Sequence, residues 1–283
     1  MLNKESNSYI FIFSAVLVVA VGVILTIANE STKPAYLSSL TKEKKQSILL
    51  AATGESAETL TRDVADARFD EEIVEMYAYT EDGTKKKEGE EVFSIDLAAE
   101  QKKKGSDAAS ALYPVYKHVK DGKTRYVIAM QGVGLWGPIW GFLAVESDLQ
   151  TVANAVFDHK SETPGLGAEI NTEGFQKQFR SAGETRKLIA ALGGTETYLH
   201  VEKPGKVAPT SDEYTYVIEG ISGGTITSNG VSDMLGKFLR AFVNFAQKNI
   251  MTPKTSETVT ADSLAPDSLQ SSVDSLNQLT VVP

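Results

Sequence analysis

The chain contains one uncharged apolar stretch near its N-terminus, and no other feature limits its fold so strongly. From Tyr9 to Ala28 there are 20 residues without a charge, of which 13 are Ile, Leu, Val or Phe. As an α-helix with a rise of about 1.5 Å per residue, this stretch would span roughly 30 Å, the thickness of the hydrocarbon core of a bilayer. We therefore predict a single transmembrane helix over residues 9–28, after a short segment of residues 1–8. A cleavable signal peptide is the alternative, although its apolar core is usually about 7–15 residues long.

Composition excludes several classes of function. The formal net charge of −9 argues against a nucleic-acid partner, because binding to a phosphate backbone needs a clustered cationic surface. The absence of cysteine excludes thiolate catalysis, disulfides, and Cys-ligated zinc or iron–sulfur centres in this chain. The three histidines, His118, His159 and His200, show no metal-ligand spacing. No Ser–His–Asp arrangement can be argued, so we predict neither catalytic residues nor a metal site.

Residues 29–251 have the pattern of a soluble domain. Its first predicted helix covers Leu37–Ala52, with Leu40, Ile48 and Leu49 as candidate core positions and a lysine-rich outer face. The helix and the membrane span are predicted as separate elements.

Two Asp-Gly pairs lie between strand-like runs, and Asp-Gly is a strong hairpin signal. The predicted strands are Ile73–Thr80, the segment after Gly83, Leu112–Val119, Thr124–Met130, Ile139–Val145, Thr197–Val201 and Tyr214–Ile221. Further helices are predicted at Asp148–Phe157 and Val231–Gln247. Strands paired by hairpins, with helices between the groups, indicate the α+β class with largely antiparallel sheets flanked by helices.

The region of residues 252–283 has a different composition. It holds eleven Ser or Thr, three Pro and no aromatic residue, and its four acids and one lysine give it a charge of −3. Asp-Ser-Leu occurs three times, at Asp262, Asp267 and Asp274. We predict an acidic, Ser/Thr-rich disordered tail, with a docking peptide as the alternative.

The segment from Glu219 to Val231 combines a glycine-containing turn with the start of a helix. A strand is predicted to end at Ile221 and a helix to open near Ser228 or Asn229. That helix carries apolar residues at spacings of three and four, which predict a buried stripe: Val231, Leu235, Phe238, Phe242 and Phe245. The turn can expose backbone N–H groups and the helix start adds its positive end, so a phosphate would be stabilised there. An ordinary capped turn is the alternative.

Three short segments resemble the FMN-binding domain family. Residues 222–228, Ser-Gly-Gly-Thr-Ile-Thr-Ser, resemble the family's Ser-Gly-Ala-Thr motif, whose threonine carries FMN through a phosphoester bond. Residues 159–167 contain Glu-Thr-Pro-Gly-Leu-Gly, and residues 134–137 read Gly-Leu-Trp-Gly, as in the same family. In this order, and after one membrane span, the segments are similar to the family of C-type subunits of the sodium-translocating NADH:quinone oxidoreductases. The chain departs from the pattern at Gly224, where alanine is usual, and at Glu219, where aspartate is common.

The resemblance implies covalent FMN on Thr225, whose hydroxyl oxygen would be esterified to the FMN phosphate. The turn of Ser222, Gly223 and Gly224, together with the helix start, would solvate the remaining negative charge of the ester. Thr227 would donate a further hydrogen bond or cap the helix, and it is the rival attachment point.

The resemblance implies further site residues in the other two segments. Glu162 and Thr163 would be polar contacts at the edge of the flavin ring, and Leu166 would pack on its face. Gly165 would permit close approach, and Trp136 would offer an aromatic surface. The alternatives are an ordinary turn around Thr163, a core position for Leu166 and a packing anchor for Trp136.

The implied function is that of a membrane-anchored flavoprotein subunit, whose FMN relays electrons within an NADH:quinone oxidoreductase that exports sodium. The implied partners are the other membrane subunits, the flavin transferase that attaches FMN, and membrane lipid. The FMN domain is expected on the periplasmic side of the bacterial inner membrane, with residues 1–8 in the cytoplasm, although the lysines after the span would favour the opposite orientation. The alternatives are the G-type subunit of the related ferredoxin:NAD oxidoreductase complex and a membrane-tethered binding protein with no redox group.

Overall fold

A six-stranded sheet lies between two layers of helices. The computed structural model describes four parts of the chain: residues 7–103, 105–180, 186–192 and 195–251. The predicted tail of residues 252–283 lies outside the described residues. The sheet and its helices confirm the predicted α+β class.

The first helix, α1, runs from Asn7 to Thr53, so the predicted membrane helix and the helix predicted after it form one element. Within the described residues, it is the one helix long and apolar enough to cross a membrane. Its large apolar side chains between Ile10 and Ile27 are exposed, whereas Ile48 and Leu49 are fully buried. The predicted core position of Leu40 is wrong, since this side chain is 41% exposed. The helix packs against the soluble domain only in its C-terminal part, around Ile48 and Leu49.

Six strands form one antiparallel sheet. They are β1 (Ile73–Tyr79), β2 (Lys85–Glu88), β3 (Tyr113–Lys120), β4 (Lys123–Val133), β5 (Pro138–Glu146) and β6 (Val152–His159). Their order in the sheet is β2-β1-β3-β4-β5-β6. Both predicted Asp-Gly hairpins are present. At the turn between β3 and β4, Asp121 and Gly122 have φ values of 49° and 73°, as a two-residue turn with two left-handed residues requires.

Different helices cover the two faces of the sheet. Along β4, Ile128 and Met130 pack in the core that contains α6 (Thr225–Ala246), whereas Val127 and Ala129 pack in the core that contains α1 and α2 (Arg62–Glu72). This alternation follows from the period of two along a strand. The apolar stripe predicted for the last helix is buried against the sheet.

Short elements connect these layers. They are α3 (Glu90–Phe93), α4 (Leu97–Glu100), α5 (Glu173–Gln176), β7 (Ile189–Leu192), β8 (Thr195–Tyr198), β9 (His200–Glu202) and β10 (Val217–Glu219). Strand β7 pairs with β8 in the antiparallel sense, and β9 pairs with β10 in parallel.

Three local predictions need correction. The predicted helix Asp148–Phe157 is largely β6, whose first four residues are all buried. Burial on both faces removes the alternation that distinguishes a strand from a buried helix. The predicted strand Tyr214–Ile221 is a 3₁₀ turn at Asp212–Tyr216 followed by the three residues of β10. The predicted strand Thr197–Val201 is divided between β8 and β9.

Candidate functional site

The three segments that carry the family resemblance meet at the carboxylate of Glu162, which is buried with 5% exposure. Its Oε2 accepts a hydrogen bond from the Thr227 hydroxyl at 2.6 Å. Its Oε1 accepts the backbone N–H of Trp136 at 2.8 Å. The carboxylate therefore joins the loop between β4 and β5, the segment after β6 and the first turn of α6.

The protein holds the Glu162 side chain in its charged form. Burial by itself would raise the pKa of Glu162, because it disfavours the carboxylate. Hydrogen bonds from the Thr227 hydroxyl and from the backbone N–H groups of Trp136 and Leu135 outweigh burial and lower the pKa of Glu162. An ionised carboxylate only accepts hydrogen bonds, and both of its oxygens already have donors within the protein. The contact predicted between Glu162 and the flavin edge stays a prediction.

Two glycines leave space for this carboxylate. A Cβ at Gly134 would lie 2.5 Å from Oε1 of Glu162. A Cβ at Gly167 would collide with Oε2 of Glu162 and with the Thr227 hydroxyl. A side chain at either glycine would therefore displace the carboxylate from its donors.

Helix α6 begins at Thr225, earlier than the sequence pattern predicted. The Gly224 carbonyl accepts the Ser228 N–H at 2.9 Å and closes the first turn there. The backbone N–H groups of Thr225, Ile226 and Thr227 precede that bond and have no acceptor within the helix. Gly224 occupies the N-cap position and makes no side-chain cap. The helix start therefore offers N–H groups and the positive end of its dipole to an anion.

The two threonines of the motif differ in accessibility. Thr225 is exposed at the helix start, where it lines a cleft of about 490 Å³ together with Ser222 and Gly223. Thr227 is only 1% exposed, and its hydroxyl donates its hydrogen to Glu162. Of these two hydroxyls, that of Thr225 is the one that solvent and a modifying enzyme can reach.

The turn before α6 packs against the segment after β6. Gly223 has a φ of 79°, and a Cβ there would lie 2.7 Å from Cδ2 of Leu166. Gly165 has a φ of 76° and donates its N–H to Oε1 of Glu169 at 2.9 Å. The Thr163 side chain is exposed, and its carbonyl accepts the Leu166 N–H at 3.1 Å. Two tight turns thus hold the predicted residues of both segments side by side.

The segments joined at Glu162 expose large apolar side chains. They are Leu135 (48% exposed), Trp136 (65%), Leu166 (42%) and Ile226 (57%). Neither Leu166 nor Trp136 is therefore buried in the core, contrary to the alternatives considered for them. Exposed apolar and aromatic side chains beside a helix start that can accommodate an anion offer surface to a planar apolar ligand.

Sequence reasoning missed several participants. The Nδ1 atom of His159, an expected surface residue, accepts the Glu162 N–H at 3.2 Å. Ile226 could have been noticed in the sequence, because it is a large apolar residue outside the buried stripe of α6. Nothing in the sequence marks Lys203, which lines the cleft beside Thr225 because β9 pairs with β10. Among the residues that the structure describes, no group of three or more His, Asp or Glu side chains is placed to hold a metal ion.

Comparison with known proteins identifies the family. The FMN-binding domain family matches residues 134–240, which include all three segments. The solved structure of the C-type subunit of the Na(+)-translocating NADH-quinone reductase from Parabacteroides distasonis is 34% identical in sequence. The alignment covers 75% of this chain and 96% of that chain, with a TM-score of 0.62. The chain belongs to this family of C-type subunits.

Two further members of the family match over different lengths. The C-type subunit from Pseudomonas aeruginosa is 29% identical over 249 residues, which cover 83% of this chain and 92% of that protein. The C-type subunit from Chlamydia trachomatis is 41% identical over 152 residues, which cover 50% of this chain and 48% of that protein. The chain therefore matches nearly the whole of one relative and about half of the chlamydial one.

Proposed function

We propose that the protein is a membrane-anchored flavoprotein subunit that carries FMN on Oγ1 of Thr225 through a phosphoester bond. The contrast between the two threonines supports this proposal, since Thr225 is exposed at the start of α6 and Thr227 is buried and bonded to Glu162. A phosphoester of this kind keeps one negative charge, which the N–H groups of a helix start stabilise. The match of residues 134–240 to the FMN-binding domain family supports the same prosthetic group.

The residues present fit FMN. Ser222, Gly223 and Gly224 would surround the phosphate, and a side chain at Gly223 would fill the space beside Leu166. The exposed faces of Leu166 and Trp136 would contact the isoalloxazine ring. These side chains stay exposed in the protein, as expected for residues whose apolar partner is a ligand.

Other predicted site residues would act at the edge of the flavin or behind it. Thr163 is exposed, so its hydroxyl would be available to the ring edge, and exposed Gly165, whose N–H bonds Glu169, would permit close approach. Glu162 and Thr227 bond each other, and we assign them the role of positioning the three segments. Glu162 would thus hold the three segments of the site together from the interior of the protein.

Bound FMN would supply one-electron transfer between redox centres of neighbouring subunits in an NADH:quinone oxidoreductase that exports sodium. The chain's own contribution would be position and attachment. The apolar part of α1 would anchor the domain in the bacterial inner membrane, with the FMN site on the periplasmic side. The partners would be the other membrane subunits, surrounding lipid, and a flavin transferase during maturation.

Coexpression of the full chain with a flavin transferase tests this proposal. We expect a fluorescent band on a denaturing gel and, by mass spectrometry, an FMN adduct on the peptide that contains Thr225. Thr225→Ala should abolish both signals, whereas the matched variant Thr227→Val should keep them. A wild-type chain without flavin would refute the proposal, and an adduct that persists in Thr225→Ala would assign it to another residue.

A further inference from the structure

A second cavity among the described residues is separate from the cleft at Thr225. It has a volume of about 590 Å³ and lies between α4, the end of β4 and α6. Gly132, Val133 and Met234 contribute to its largely apolar lining. Val133 is 72% exposed, although it ends a strand of the central sheet. The cavity shares Gly137 with the loop that carries Trp136, but none of the residues proposed to contact FMN lines it.

The cavity lies along an open edge of β4. The ladder between β3 and β4 ends at the pair Val115 and Ile128, whereas β4 pairs with β5 as far as Val133. The Gly134 N–H bonds the Gly137 carbonyl. Because bonded and non-bonded pairs alternate in an antiparallel ladder, the backbone groups of residues 131 and 133 face away from β5, where the Val133 carbonyl lies close to Gly230 of α6. No strand lies opposite them in the described part of the chain.

Among the described residues, two lysines at the cavity lack a carboxylate partner, and one amide nitrogen lacks an acceptor. The Nε2 of Gln101 is buried without a hydrogen-bond acceptor. Lys102 and Lys237 line the cavity and form no ion pair with any residue that the structure describes, although Lys237 donates to Oε1 of Gln101 at 2.5 Å. Asp233 is the one carboxylate of the lining. An extended backbone with an apolar side chain and a carboxylate would satisfy these groups together.

We propose that this cavity binds an Asp-Ser-Leu repeat from the chain's own region of residues 252–283, as a short strand added to the open edge of β4. In an extended strand, residues two apart lie on the same face, about 7 Å from each other. Each repeat therefore presents its aspartate and its leucine together, at 262 and 264, 267 and 269, and 274 and 276. The leucine meets the apolar lining, and the aspartate meets Lys102 or Lys237.

The length of the intervening chain permits this contact. Lys237 lies about 21 Å from Met251 along the helix, at a rise of about 1.5 Å per residue. The eleven residues from Met251 to Asp262 span up to about 36 Å when extended. Three equivalent repeats on one tether raise the local concentration of the ligand to the millimolar range. The acidic charge of −3 in this region complements Lys102 and Lys237, which form no ion pair with the described residues.

Residue-resolved hydrogen exchange on the full, flavin-loaded chain in detergent tests the proposal. The probes are the backbone amides of residues 131 and 133, and the reference is the amide of Val127, which lies inside the two-sided ladder. Ending the chain after Met251 should speed exchange at the two probes by about tenfold and leave the reference unchanged. A synthetic peptide of residues 259–269, added in trans, should restore the protection.

Full-length variants separate the tail from other occupants. Replacing the three leucines of the repeats by serine should reproduce the effect of truncation, and Lys237→Glu should weaken the protection. Equal exchange in the full and the shortened chain would overturn the proposal. Protection that survives truncation and rises with protein concentration would assign the edge to a second copy and would also overturn it. The same readouts apply to the Thr225→Ala chain, so a failure of this proposal is distinguishable from a failure of the proposed FMN attachment.

Discussion

The hydroxyl of Thr227 donates a hydrogen bond to the carboxylate of Glu162 at 2.6 Å, across 65 positions of sequence. Both groups are buried. The bond uses the one hydrogen that the Thr227 hydroxyl can donate, and it ties the start of α6 to the segment after β6. It thereby distinguishes two threonines that lie only two positions apart in the motif.

The first prediction concerns the energy of this bond. Glu162→Gln and Thr227→Val should each lower the free energy of unfolding by about 1–3 kcal/mol, because each leaves a buried polar group with a weaker partner or none. The double variant should be less destabilised than the sum of the two, since both remove the same bond. Chemical unfolding of the four proteins in one detergent measures this coupling. If the changes in the free energy of unfolding were strictly additive, the two side chains would not be energetically coupled through this bond.

The second prediction compares two glycines. Gly167→Ala should destabilise the protein by about 1–3 kcal/mol, because the new methyl group collides with Glu162 and Thr227. Gly236→Ala is the matched control inside α6, where a Cβ meets nothing within 4 Å. It should stabilise the helix by about 0.5–1 kcal/mol. The melting temperature should therefore fall for Gly167→Ala and rise for Gly236→Ala. A change of the same sign in both variants would contradict the packing described.

The third prediction concerns acid stability and rests on Glu72, which is buried with 6% exposure. Arg68 Nε donates to its Oε1 at 2.8 Å, Lys120 Nζ lies 3.1 Å from the same oxygen, and His118 Nε2 lies 3.1 Å from Oε2. Burial would raise the pKa of Glu72, but the hydrogen bonds from Arg68, His118 and Lys120 outweigh it and lower that pKa from 4.5 to about 2.

A carboxyl group whose pKa is lower in the folded state stabilises the fold above its unfolded pKa and loses that contribution as the pH falls. For Glu72 the loss should occur between pH 4.5 and about 2. Glu72→Gln should be less stable than the wild type at pH 7 and should change less over the acid range. Exposed Glu58 provides the control, and Glu58→Gln should follow the wild-type curve. Melting temperatures at stepped pH test this, and parallel curves for wild type and Glu72→Gln would contradict it.

The fourth prediction concerns the N-terminal part of α1. Removing residues 1–28 should release the protein from the membrane fraction, because no other described helix is long and apolar enough to span a bilayer. The shortened domain should stay folded, since Ile48 and Leu49 keep their packing against the sheet. N-terminal sequencing of the full protein from membranes should still find the first residues of the chain. A mature N-terminus near residue 28 would instead support a cleaved signal peptide.

Features with a local physical cause were predictable from the sequence. The length of the apolar stretch predicted the exposed part of α1, and Asp121-Gly122 predicted the turn that joins β3 to β4. Spacings of three and four predicted the buried stripe of α6. The motif residues, read through their resemblance to a family, led to the correct family of C-type subunits. Each of these signals lies within a short window, where the periodicity of a helix or the geometry of a turn acts directly.

Other features depend on contacts between distant segments. Strand β6 was mistaken for a helix because burial on both faces leaves no alternation to read. The family resemblance implied Thr225 as the attachment site, but the burial of the rival Thr227 hydroxyl and its bond to Glu162 are visible only in the tertiary structure. The open edge at residues 131 and 133 likewise results from where β3 begins beside β4. Burial and competition for hydrogen-bond partners belong to assembled surfaces, and no single segment of sequence records them.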